Sequence, residues 1–98
     1  MKRDEVIATL RAHERELKAL GIVRLGVFGS VARGEDTEES DVELMVTFDE
    51  AQRHSALDEI RLKRHLTSLL GTDVDLAFEP LQKERFRARV ERELVRAF

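Results

Sequence analysis

The 98-residue chain has no cysteine, tryptophan, tyrosine or asparagine, and only one proline. The lack of cysteine excludes a disulfide framework and a thiolate zinc site, and suits a reducing compartment. No apolar run approaches the roughly 20 residues that cross a bilayer. Met1-Lys2-Arg3-Asp4 opens no signal-peptide core. The expectation is a soluble, cytoplasmic protein with no membrane partner. An excess of basic charge is missing as well. The net charge of −3 argues against a general nucleic-acid binder, so no direct nucleic-acid binding is expected. The length predicts one domain, residues 1–98, with a modest core.

Charge itself is plentiful: 38% of residues are Asp, Glu, Lys or Arg, against about a quarter in ordinary domains. It is unevenly spread. Glu35 to Glu50 is strongly acidic, whereas Lys83 to Phe98 holds six basic residues against three acidic ones. A bipolar molecule of this kind can meet a partner through either end. For the basic segment alone, a solvated helix face is the competing explanation.

Apolar spacing predicts alternating helices and strands. Asp4 reads as the N-cap of a helix over about 4–20, carrying Val6, Ile7, Leu10, Leu17 and Leu20 and stopping at Gly21. Val23, Leu25 and Val27 mark a short strand ending at Phe28, followed by a helical turn over 30–33 and an acidic loop. Asp41 to Phe48 is the clearest strand, with Val42, Leu44, Val46 and Phe48 on one face and Asp41, Glu43, Met45 and Thr47 on the other. A helix over about 55–70 ends at Gly71, and a strand over 73–78 sets Val74, Leu76 and Phe78 opposite Asp73, Asp75 and Ala77. Pro80 breaks that strand. A last helix over about 82–97 turns Phe86, Val90 and Leu94 inward. The fold class is α/β (α+β): a small mixed sheet of three or more strands covered by helices.

Two features carry chemistry. In Gly29-Ser30-Val31-Ala32-Arg33-Gly34, the first glycine permits close approach of phosphate to the backbone. Ser30 adds a hydroxyl where a helical turn begins, and Arg33 stands within reach of a triphosphate or a protein partner. The second feature is the pair Asp41 and Glu43, whose i, i+2 spacing on a strand sets the carboxylates on one face about 6–7 Å apart. A wet face of an antiparallel sheet would tolerate the same acids, but Met45 on that face argues against full exposure. With Asp75 on the later strand, three acids converge if the strands share a sheet. Such crowding costs several tenths to a few kcal/mol unless a cation neutralises it. The histidines, His13, His54 and His65, make no ligand pair such as H-E-x-x-H.

Gly29-Ser30-Val31-Ala32-Arg33-Gly34-Glu35 followed by Ser40-Asp41-Val42-Glu43-Leu44-Met45-Val46 closely resembles the signature of polymerase-β-like nucleotidyltransferases. In particular it resembles the minimal nucleotidyltransferases (MNT) encoded beside HEPN toxins. The resemblance spans nearly the whole chain and implies a polymerase-β palm-like fold. It implies that Gly29 and Ser30, with Arg33, bind ATP, and that Asp41, Glu43 and Asp75 are the catalytic acids holding two Mg2+ ions. It also implies an antitoxin of a type VII-like system, which transfers AMP to a tyrosine of a HEPN toxin and forms a hetero-oligomer with it. Because the chain lacks tyrosine, a tyrosine acceptor belongs to another molecule.

At one position the chain departs from the family's Asp-x-Asp: the second acid is Glu43. Its extra methylene carries the carboxylate roughly 1.5 Å further out, and Mg2+ holds its ligands near about 2.0–2.1 Å in octahedral geometry. Three functions remain open at this stage: an active protein adenylyltransferase, a catalytically weakened antitoxin that neutralises by binding, and a small-molecule nucleotidyltransferase. The last is disfavoured by a chain too short to build a further substrate pocket.

Overall fold

The computed structural model describes residues 1–51 and 54–98. Its framework is a four-stranded mixed sheet in the order β3-β2-β1-β4, formed by β1 (Ile22–Phe28), β2 (Val42–Phe48), β3 (Val74–Phe78) and β4 (Val95–Arg96). β1 runs antiparallel to both β2 and β4, and β2 runs parallel to β3. The helices are α1 (Arg3–Ala12), α2 (Glu14–Ala19), α3 (Gly29–Arg33), α4 (Ala56–Leu70) and α5 (Glu84–Glu93). Among the described residues no helix is long and apolar enough to cross a membrane.

The alternation along β2 divides the interior in two. Val42, Leu44 and Val46 pack with Leu25, Val27 and Val74 against Val6, Leu10, Leu17, Leu62 and Leu66 of α1, α2 and α4. Met45 points the other way, into a smaller cluster with Phe28 and Val90 that is edged by Ala77, Phe86 and Leu94. The face bearing the acids is therefore covered by α5 over part of its length rather than fully wet. Burying each large apolar side chain contributes about 1.5–3 kcal/mol.

Three sequence expectations need correction, and one further feature emerges. The first helix is not continuous: it breaks at His13 (φ −108°, ψ 16°), whose N–H bonds the Leu10 carbonyl three residues back and tightens the turn. Asp4 is not its N-cap; Lys2 takes that position and Asp4 lies in the first turn, beside the helix's positive end. The last helix stops at Glu93, because Leu94 turns extended (φ −60°, ψ 127°) and Val95–Arg96 pair with Val27 and Gly26. Gly26 makes this approach possible: a Cβ there would lie 2.5 Å from Leu94 Cδ1. Finally, α4 starts with a capping box absent from the sequence reading. Ser55 Oγ accepts from the Asp58 N–H and Asp58 accepts from the Ser55 N–H, at 3.2 and 2.8 Å. That backbone hydrogen bond, with a second from the Ser55 hydroxyl, holds the Asp58 carboxyl below its ordinary range.

Candidate active site

The site lies where β1 ends and β2 and β3 begin. Phe28, Glu43 and Asp75 are register partners across three adjacent strands. Partners share a face, so Glu43 and Asp75 leave the sheet on the α5 side, from strands about 4.8 Å apart. Backbone pairing thus sets Glu43 and Asp75 on one face of the sheet. Asp41 stands one residue ahead of β2 and is exposed. Asp75, on the edge strand, is largely exposed, and the Lys63 ammonium lies 3.9 Å from its Oδ1.

Gly29 turns the chain from β1 into α3 with φ +77°, a left-handed conformation natural to glycine. Its missing side chain has a second use. A Cβ at Gly29 would overlap Glu43 Oε2 and lie 2.6 Å from Glu43 Cδ. The Glu43 carboxylate is therefore seated on the glycine, in space that any other residue would fill. Gly29 and Glu43, separate in the sequence reading, act as one unit.

Arg33 was expected at the nucleotide. In the structure its Nε donates to Glu35 at 2.8 Å and its Nη1 to Glu93 at 2.7 Å. These bonds, to Glu35 first and then Glu93, raise the guanidinium's pKa. Glu93 is the residue that sequence reasoning missed. Its other oxygen accepts the Gly29 N–H at 3.0 Å. Burial pushes its pKa up, but the hydrogen bonds from Gly29 and Arg33 outweigh this and leave it lowered. The only sequence signal was one of three acids in a strongly basic segment.

Among the described residues, no three His, Cys, Asp or Glu side chains are gathered closely enough to hold a metal ion. Asp41, Glu43 and Asp75 nonetheless offer carboxylate oxygens, the hard donors Mg2+ prefers. The cradle at Gly29 also leaves the Glu43 carboxylate room beside the turn. The donor set fits Mg2+ in chemistry and in strand placement, although the carboxylates themselves stand apart. The histidines lie elsewhere. His65 Nε2 and His13 Nδ1 reach Glu16 Oε2 at 3.0 and 3.3 Å, joining α2 to α4, and His54 stacks on Phe48. A cavity of about 520 Å3 lined by Leu20, Phe48, His54, Arg61 and His65 contains none of the three acids.

This architecture has known relatives. The nucleotidyltransferase domain family matches residues 10–97. A Thermococcus cleftensis protein named protein adenylyltransferase MntA is 41% identical over 93 residues, spanning 94% of this chain and 92% of that one. A solved structure described as a minimal nucleotidyltransferase superposes with a TM-score of 0.79 at 41% identity, covering 97% of this chain and 95% of the other. A solved complex of a tri-AMPylated Shewanella oneidensis HEPN toxin with its MNT antitoxin shares the fold at 18% identity and a TM-score of 0.60, over 90% of this chain and 71% of that one. The acid-bearing strands, the glycine turn and these matches lead to one assignment: the chain belongs to the nucleotidyltransferase domain family, as one of its minimal members, and is an adenylyltransferase.

Proposed function

We propose that this chain is the antitoxin of a HEPN–MNT pair, transferring AMP from ATP to a tyrosine of its HEPN toxin and binding that toxin as a hetero-oligomer. The observation that carries the reading is the row Phe28–Glu43–Asp75 across three strands, with the Glu43 carboxylate seated on Gly29. Gly29 and Ser30 hold the triphosphate beside the acids, and Arg33 supports that turn. Asp41, Glu43 and Asp75 would hold Mg2+, two ions in this reading, which supplies charge neutralisation at the α-phosphate and the departing pyrophosphate. Asp75 accepts the proton of the tyrosine hydroxyl. The phenolic oxygen then bonds to the α-phosphorus as the bond to pyrophosphate breaks, leaving AMP on the toxin. The acceptor is supplied by the partner because the chain has no tyrosine.

A second reading, neutralisation by binding alone, draws on the absence of a gathered three-acid cluster among the described residues. Labelled ATP, Mg2+ and the purified toxin separate the two. Label on a toxin tyrosine, abolished by Asp41→Asn, establishes transfer. A toxin neutralised without label, with label appearing only in Glu43→Asp, establishes binding alone.

A further inference from the structure

Glu93 is tied to the glycine turn by packing that originates one helical turn earlier. Val90 is fully buried against Phe28 and Met45, and positions three and four residues on share its side of α5. Leu94 accordingly lies over Gly26, and Glu93 arrives at Gly29. The two oxygens then divide their work: one accepts the Gly29 N–H at 3.0 Å, the other Arg33 Nη1 at 2.7 Å. A carboxylate has acceptors for both donors at once, whereas a carboxamide offers one oxygen and presents N–H groups to the second donor. The Glu93 side chain is only 14% exposed, so water is a poor substitute for a lost oxygen.

We infer that Glu93 is a positioning residue for nucleotide binding: it fixes the Gly29 peptide and the Arg33 guanidinium together, so that the turn under the triphosphate is held in place from the far end of the chain. The inference rests on the adenylyltransfer reading above for its substrate. Glu93 acts through the turn and does not touch the reacting atoms. It also neutralises Arg33, so a second carboxylate can stand beside the glycine that seats Glu43. A turn that grips phosphate alike in ground and transition states alters KM rather than kcat.

The test compares Glu93→Gln with Glu91→Gln, which removes the same charge from an exposed position on the same helix. At a temperature below both melting transitions, Glu93→Gln is expected to raise KM for ATP about tenfold with kcat within about threefold. Exchange of the Gly29 amide hydrogen should quicken at least about tenfold, while that of Val27 stays protected. Glu91→Gln should match the parent chain in all three. A folded Glu93→Gln with the parental KM and parental Gly29 exchange overturns the inference, whatever its melting temperature. If Glu93→Gln does not fold, Glu93→Asp, which keeps both oxygens on a shorter stem, is judged by the same KM and exchange criteria. Should the parent chain transfer no AMP, the adenylyltransfer reading fails. Direct titration with ATP then replaces KM, and Gly29 exchange still decides the role of Glu93.

Discussion

Replacing Gly29 by alanine should separate the two uses of that glycine. Its φ of +77° places a new Cβ in the left-handed region, a strain of about 1–2 kcal/mol for an L-residue. For a domain of this size each kcal/mol lowers Tm by about 4–8 °C, so a fall of roughly 5–15 °C is expected. Gly71, at the end of α4, has a similar φ of +70°, but a Cβ there meets nothing within 4 Å. Gly71→Ala therefore carries the strain alone. At Gly29 the methyl also collides with the Glu43 carboxylate, which must swing off the turn. Misplacement of a catalytic group by about 1 Å can cost a hundredfold, equivalent to about 2.7 kcal/mol of transition-state stabilisation. Labelled AMP transfer to the toxin, measured below both melting transitions, should thus fall at least about a hundredfold in Gly29→Ala and stay near the parent rate in Gly71→Ala. A folded Gly29→Ala that transfers within threefold of Gly71→Ala would refute the coupling of glycine and carboxylate.

Three further outcomes are expected. Ser55→Ala removes the capping oxygen of α4 and should cost about 1 kcal/mol, a fall in Tm of about 4–8 °C by calorimetry, with transfer unchanged. Val90→Ala should cost about 2–3 kcal/mol in denaturant unfolding, since it empties space between α5 and Met45, with a loss under 0.5 kcal/mol contradicting the packing described. Glu93 has a pKa lowered in the folded chain from its ordinary 4.5, so its stabilisation is full above that pH and is lost as pH falls through the lower folded value. Tm measured between pH 5 and 3 should decline less steeply in Glu93→Gln than in the parent chain; parallel profiles would contradict the assignment.

The strands were legible because alternation is a local signal. Val42, Leu44 and Val46 alternate with Glu43 and Met45; the first set buries on one face and Met45 on the other. If the strands share one sheet, the same alternation sets Glu43 and Asp75 on one face. The Ser55-x-x-Asp58 box is equally local. Other features had no local trace. Leu94 continues the helical spacing from Phe86 and Val90, so only the pairing of Val95 and Arg96 with β1 betrays a strand. The Glu93–Gly29 bond joins positions 64 residues apart, and nothing near either one announces it. The use of Gly29 as a seat for Glu43 depends on side-chain volume across two strands, which periodicity does not encode.

The parallel pairing of β2 with β3 requires the chain between them to cross the sheet, and it does so through α4, on the face away from the acids. The gap between Glu43 and Asp75 is consequently a property of strand spacing, independent of the residues that make the crossing. Changes along α4 that keep Leu62 and Leu66 packed on the sheet therefore leave that spacing intact.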